Sequence, residues 1–380
     1  MSKIVNVEAF SFPMGSSWLT NSVVANPMSR YEEYKQVRSS WMSPMSSVFA
    51  KVTLDSGVYG WGWAGGGKDS SAVIINGIFR RLAIGKDVSD IEYIWDSMFR
   101  SSIQFGRRGT AIEAMSAVDT AVWDAFGKDT GLPVYKLLGG KVRDKLKVYA
   151  TGNANERHKK MGFKSKKLAM PYGPADGLEG MKANYRLVAE TRESLGKDGE
   201  IMLDSYMGWD EAYTVRMARM LRELDIYWIE EPLIPENYDG YRRLRDILNP
   251  MGILVTGGEH EFTRYGFKEM IEKRCVDILQ PDIGRCGGIS EFKKICAMAS
   301  AYDMVVVPHG TGSPTYHAAI NSTVTPFAEY IDLQADGGSS NFTGEPEPVC
   351  GYITLDDKKP GFGYDINPVL FEGVNPLPIW

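Results

Sequence analysis

From about residue 147 onward the chain repeats one pattern, a short apolar run that closes on polar residues and is followed by a longer amphipathic stretch. We read eight such runs: Lys147 to Thr151, Lys166 to Met170, Ile201 to Tyr206, Tyr227 to Glu231, Leu254 to Glu259, Ile278 to Ile283, Val305 to Gly310 and Tyr330 to Leu333. Strands alternating with helices build a parallel sheet covered on both faces, and eight of them suggest a barrel. A doubly wound sheet is the alternative. A dinucleotide-binding one carries a GxGxxG turn between a strand and its helix, and this repeat region has none.

The preceding part has a different rhythm. Ile4 to Phe12, Val48 to Leu54 and Tyr59 to Trp63 read as strands, with Asp55-Ser56-Gly57 as a turn, which gives an antiparallel sheet. Ile112, Met115, Val118, Val122 and Phe126 then recur at helical spacing and predict a helix with one buried face. The reading is an α+β unit over 1–140, a barrel over 141–338, and a Pro- and Gly-rich tail over 339–380. The tail carries a possible strand, Tyr352 to Leu355, and is expected to return to the first unit.

A length of 380 residues leaves room for both units, and 43% hydrophobic with 24% charged residues is ordinary for a globular chain. The net charge of −5 argues against a broad basic surface for nucleic acid or anionic membrane. His158-Lys159-Lys160 is read as a solvated face, and Lys164-Ser165-Lys166-Lys167 is a second short basic run. The N-terminus alternates like a strand, no run is apolar for long enough to span a membrane, and Cys275, Cys286, Cys296 and Cys350 form no CxxC pair. A cytoplasmic setting is the expectation.

In a barrel of this kind the reactive groups sit at the carboxyl ends of the strands. Three successive strands end in acids: Asp204, the Glu230-Glu231 pair, and Glu259. Singly, each could cap a helix or form a salt bridge. Three at one rim would repel one another unless a hard divalent cation with oxygen ligands lay between them, and Mg²⁺ fits such a set. Glu230 and Glu231 should point to opposite sides, so only one enters the site. The next two strands end in Gln280-Pro281-Asp282 and Val307-Pro308-His309-Gly310. Asp282 could fix the tautomer of His309 and leave its second nitrogen as a base. Glu329, just ahead of the eighth run, is a further acid. Raised in pKa by burial beside other carboxylates, it would donate a hydrogen bond to developing negative charge.

With these positions placed, the chain resembles the mandelate racemase subgroup of the enolase superfamily, and within it the rhamnonate dehydratases. The resemblance rests on Asp119-Thr120-Ala121-Val122-Trp123-Asp124, the run Gly131 to Gly140, Trp228-Ile229-Glu230-Glu231-Pro232, Gly258-Glu259-His260, and Gln280-Pro281-Asp282 with Pro308-His309-Gly310. It implies a modified (β/α)₇β barrel under an α+β capping domain made from both terminal segments. It implies Asp204, Glu230 and Glu259 as Mg²⁺ ligands, with Glu230 chosen over Glu231. His309 with Asp282 would be the acid/base pair and Glu329 the hydrogen-bonding electrophile.

The implied reaction is dehydration of an aldonate, L-rhamnonate or a relative such as L-lyxonate, to a 2-keto-3-deoxy acid. The implied assembly is a homo-oligomer, from dimer to octamer. Racemases of this subgroup carry a second lysine on the second barrel strand, where this chain reads Lys167-Leu168-Ala169, which favours elimination by His309 alone. An epimerase or cycloisomerase is the alternative, and a non-catalytic metal-binding homologue the second. Substrate selection is expected in the loops Met14 to Met28 and Gly60 to Gly67, with Arg38, Lys167 and His260 as substrate contacts. Rhamnonate dehydratases carry a histidine in the first loop. Here Ser16-Ser17-Trp18 stands in its place.

Overall fold

Alternation along the barrel strands sends every second side chain inward, and along that inward face an apolar lower layer gives way to a polar upper rim, which places the site. The computed structural model describes residues 1–13, 24–35, 39–42, 46–66, 69–333 and 340–371. The barrel strands are β4 (Leu146–Thr151), β5 (Ser165–Ala169), β6 (Glu200–Asp204), β7 (Ile226–Glu230), β8 (Leu254–Gly257), β9 (Ile278–Leu279), β10 (Val305–Val306) and β11 (Phe327–Ile331). They form one sheet in the order β10-β9-β8-β7-β6-β5-β4-β11, and each neighbouring pair is parallel. Tyr149, Met202, Trp228, Ile278 and Val307 form an apolar cluster of their own inside it. Two residues further along four of those strands stand Thr151, Asp204, Glu230 and Gln280, as a period of two requires. Ile201, Leu203, Ile229, Val255 and Leu279 point the other way, into the main core beneath the helices.

Number these helices together with two in the first unit, α1 (Ile91–Ser102) and α2 (Thr110–Thr130). Those between the barrel strands are then α3 (Asn155–Lys160), α4 (Gly177–Leu195), α5 (Glu211–Met220), α6 (Tyr238–Leu248), α7 (Thr263–Glu272), α8 (Gly288–Ala301) and α9 (Ser313–Asn321). One helix in each gap gives the (β/α)₇β arrangement. Among the described residues no helix is long and apolar enough to cross a membrane.

The first unit is the predicted antiparallel sheet, β1 (Ile4–Pro13), β2 (Ser46–Leu54) and β3 (Tyr59–Ala64), in that order. Helix α2 lies directly on β3 because β3 carries glycines where the two backbones meet. A Cβ on Gly62 would stand 2.0 Å from the Ala117 carbonyl oxygen, and one on Gly60 2.3 Å from that of Ala121. Gly60-Trp61-Gly62-Trp63-Ala64-Gly65 does have GxGxxG spacing, but its first five residues are an antiparallel strand, so its glycines serve helix packing and not a phosphate turn. Most of the expected loop Gly60 to Gly67 is therefore strand, and Gly67 lies outside the described residues.

Two acids of the Asp119-to-Asp124 run act as staples. Asp119 accepts the Ser290 N–H (3.0 Å) and hydroxyl (2.5 Å) from α8; Asp124 accepts the N–H groups of Trp61 (3.0 Å) and Phe362 (2.9 Å) and an ammonium proton of Lys128 (2.7 Å). The tail thus reaches the first unit through Phe362, and the Tyr364 hydroxyl donates to the Trp61 carbonyl at 2.8 Å. Its expected strand is shorter than read. β12 (Phe342–Thr343) pairs with β14 (Asp365–Ile366), while β13 (Tyr352–Ile353) adds to the barrel by lying antiparallel to the start of β4.

Two further readings are corrected. β11 begins at Phe327, so Glu329 lies within the eighth strand and not before it. Lys159 and Lys160 are exposed as expected, but His158 is buried, its ring against Phe163 and its Nε2 3.3 Å from Asp332. Both Lys166 and Lys167 are buried as well, since their β5 positions face helix and barrel interior rather than water.

Candidate active site

Each strand end delivers one polar side chain to the upper rim. Asp204 closes β6, Glu230 closes β7, and Glu259 follows the turn after β8; their carboxylate oxygens lie within 4.8 Å of one another. Glu230 is fully buried, accepting from Gln280 Nε2 (2.7 Å), Trp228 Nε1 (3.2 Å) and Lys167 Nζ (2.6 Å). Burial pushes Glu230 up to about 8 and Asp204 to about 6, against the opposing charge of Lys167. Glu259 is held well below the usual carboxylate range, because His309, His260 and Arg285 outweigh its burial. Three oxygen donors without nitrogen or sulfur are a set for a hard divalent cation.

Asp282 and His309 meet across a bridge between the chain segments that follow β9 and β10. His309 Nδ1 is 2.6 Å from Asp282 Oδ2, the other Asp282 oxygen accepts the Gly284 N–H at 2.6 Å, and His309 Nε2 lies 3.3 Å from Glu259 Oε2. Burial disfavours the imidazolium, but Glu259, Asp282 and Glu329 override it and push His309 up to about 10. One nitrogen is fixed. The other faces the metal-type carboxylates.

Lys167 is not solvated. Its ammonium lies 2.6 Å from Glu230, 2.9 Å from Glu329 and 3.8 Å from Asp204. This cation decides the state of Glu329. Burial alone would raise that acid, but Lys167 and His309, with hydrogen bonds from Thr151 and Lys167, hold it below its ordinary value. Glu329 also accepts the Gly310 N–H at 2.7 Å. Its close neighbours include a lysine as well as the carboxylates weighed from the sequence, and the lysine favours the carboxylate form over the expected protonated donor.

Glu231 and His260 depart from strand alternation. Glu231 has φ 39° and Gly258 φ 126°, so the chain turns at both points. His260 Nδ1 comes to 2.7 Å from Glu231 and 3.6 Å from Glu259, and its ring stands edge-on to Tyr206 at 5.4 Å. It is brought towards the site rather than turned away. Arg38 and residues 14–23 of the first expected loop lie outside the described residues. The rest of that loop is anchored to the barrel by Ala25 N–H donating to the Met170 carbonyl at 3.0 Å.

Three groups at this rim were not singled out from the sequence: Arg285, Glu113 and Tyr206. Arg285 Nη1 is 3.2 Å from Glu259 Oε1. Glu113 comes from the start of α2, and burial pushes it up to about 7 despite Arg285. Arg285 follows Asp282 by three residues and could have been suspected from that spacing. Tyr206 closes the third run and could have been suspected from that place; Glu113 could not, since only the packed fold brings it near.

Residues 150–370 match the model of the enolase C-terminal domain-like family, and residues 23–139 that of the mandelate racemase / muconate lactonizing enzyme N-terminal domain. A protein of Caldivirga maquilingensis that carries the provisional name L-rhamnonate dehydratase is 41% identical over 351 residues, covering 90% of this chain and 87% of that one. The crystal structure of L-rhamnonate dehydratase from Gibberella zeae superposes with a TM-score of 0.91 at 36% identity, over 99% of this chain and 96% of that one. A structure of rhamnonate dehydratase from the same organism complexed with Mg gives 0.91 at 34% identity, over 99% and 97%. The 3,6-anhydro-D-galactonate cycloisomerase of Zobellia galactanivorans gives 0.82 at 31% identity, over 98% and 100%.

Proposed function

The chain belongs to the mandelate racemase / muconate lactonizing enzyme family of the enolase superfamily, and from that premise we propose that it is a hydro-lyase acting on a sugar acid. The substrate class we infer is an aldonate, L-rhamnonate or a relative such as L-lyxonate. The single observation that carries the reading is the placement of His309, oriented by Asp282 at 2.6 Å with its free nitrogen 3.3 Å from Glu259. A base in that position faces the carbon next to a carboxylate that the acidic trio addresses.

Asp204, Glu230 and Glu259 would hold Mg²⁺. The bound cation supplies charge that offsets the two negative oxygens formed when a proton leaves the carbon α to a carboxylate. Glu259 is the largest of the charges that favour the imidazolium of His309, so with Glu259 engaged on the cation the neutral His309 would be restored; its Nε2 then takes the C2 proton, and Asp282 stabilises the imidazolium formed. His309 then returns a proton to the C3 hydroxyl as the C3–O bond breaks, water departs, and the enol becomes a 2-keto-3-deoxy acid. Lys167, buried between Glu230 and Glu329, offers a cation on the side where the substrate carboxylate would lie. His260, with Nδ1 held by Glu231, has its second nitrogen for a substrate hydroxyl. Arg38 belongs to the same reading as a substrate contact from the capping unit.

The second reading, epimerisation or cycloisomerisation, is favoured by the similarity to the cycloisomerase. Lys167 or another base opposite His309 would then serve the second face. A screen of five- and six-carbon aldonates with Mg²⁺ for 2-keto-3-deoxy products separates the two. Dehydration by the wild type, lost by about 10²–10⁴-fold in His309→Asn, is the expected result. Exchange of the C2 proton in D₂O without loss of water across the whole set would instead establish the second reading.

A further inference from the structure

Arg285 is buried against the rim, with its side chain 13% exposed, and four groups close into a ring there. Arg285 Nη1 lies 3.2 Å from Glu259 Oε1, Glu259 Oε2 lies 3.3 Å from His309 Nε2, His309 Nδ1 lies 2.6 Å from Asp282 Oδ2, and that oxygen lies 3.8 Å from Arg285 Nε. Cationic and anionic groups alternate round it. Arg285 N–H also donates to the Asp282 carbonyl at 3.0 Å, so the arginine is anchored on the strand end that supplies the acid it faces.

The capping unit is fitted to this side chain. Gly65 N–H donates to the Gly284 carbonyl at 2.8 Å. A Cβ on Gly65 would stand 2.7 Å from Arg285 Cγ, and one on Gly66 would stand 2.9 Å from Glu113 Oε1 and 3.7 Å from Arg285 Nε. Gly65 leaves room for the aliphatic stem of Arg285, and Gly66 for the Glu113 carboxylate that backs the guanidinium from α2.

We propose that Arg285 is a positioning residue, which fixes the Glu259 carboxylate and keeps it in register with the Asp282–His309 pair while the capping unit closes over it at Gly65 and Gly66. The proposal rests on the metal and acid/base roles inferred above. A planar guanidinium suits this place because it can address two carboxylates at once, and partners that orient a ligand carboxylate govern how a site works without touching substrate.

The test uses the full chain with Arg285→Met and Arg285→Lys. Thermal melting establishes that each is folded, electron paramagnetic resonance of bound Mn²⁺ is recorded without substrate, and kcat and KM are measured on the best aldonate. Expected are an altered Mn²⁺ spectrum in R285M, a kcat lower by about 10–100-fold with KM little changed, and partial recovery of kcat in R285K. A folded R285M whose Mn²⁺ spectrum superposes on the wild type and whose kcat is within about threefold of it overturns the proposal. Should R285M not fold, R285K carries the same decision, since an ammonium cannot span both acids. A wild type that binds no Mn²⁺ overturns the metal reading and this proposal together. A wild type that binds it but dehydrates nothing overturns only the substrate reading, and the spectra still judge Arg285.

Discussion

Lys167 is the residue on which the charge balance of the rim turns. It is 1% exposed and meets Glu230 and Glu329 within 2.9 Å, so removing it leaves two buried carboxylates facing one another. Lys167→Met is expected to cost about 3–5 kcal/mol in metal-free buffer, the usual loss when one partner of a buried pair is taken away. Urea midpoints in EDTA and in Mg²⁺ check this, because a dication among Asp204, Glu230 and Glu259 would replace part of the lost charge. An equal loss in both buffers would sink the idea that lysine and metal share these acids. Asp204, Glu259, Asp282 and His309 were legible in the sequence because strand ends announce themselves as an apolar run meeting a polar residue, whereas Glu230 was separated from Glu231 only by the family resemblance. Lys167 was half legible, as a lysine on a strand. What local pattern cannot carry is distance through space, so Glu113 came only with the packed fold. The same holds for the lysine beside Glu329, which no local pattern places there.

At the scale of elements, the closest approach in the first unit is that of α2 to β3, and its glycines were visible only as a punctuated strand. Gly62→Ala would place a methyl group 2.0 Å from the Ala117 carbonyl oxygen, with backbone on both sides and no side chain free to yield. Overpacking of this kind costs about 1–3 kcal/mol or more, so the melting temperature of G62A should fall by several degrees while Gly77→Ala serves as a control. Gly77 has open space where its Cβ would stand and no positive φ, so an alanine meets neither clash nor strain there. A G62A chain melting with the wild type would mean that the sheet and helix can part without cost. Strand identity was readable here from apolar alternation and turn residues. Strand ends were less so: β11 begins three residues before the apolar run suggested, since Phe327, Ala328 and Glu329 do not look like a strand until β4 pairs with them.

On the whole-molecule scale the tail, the barrel helices and the segment leading into β4 converge on His317. Its Nδ1 accepts the Tyr135 N–H at 3.2 Å, and its ring packs at 5.5 Å from Tyr135 and 5.3 Å from Phe362 of the tail. Burial lowers its pKa to about 3, from an ordinary 6.5. The sign follows directly. The unfolded chain takes a proton at this residue as pH falls below 6.5, whereas the native chain refuses it until about pH 3. Stability from neutral His317 is therefore complete above pH 6.5 and is lost through the interval below it, at up to about 1.4 kcal/mol per pH unit. His158, lowered to about 4 chiefly by burial, adds in the same sense. Asp119, raised to about 7 by burial, opposes both, since it is the native state that binds its proton first on acidification. The net slope of the wild type cannot isolate His317, but a difference can. His317→Gln keeps an acceptor for Tyr135 and removes the titration, so its melting temperature should fall less steeply than that of the wild type between pH 6.5 and 4. Parallel curves would mean that the junction of tail and barrel admits the imidazolium, and that acid opens the molecule elsewhere.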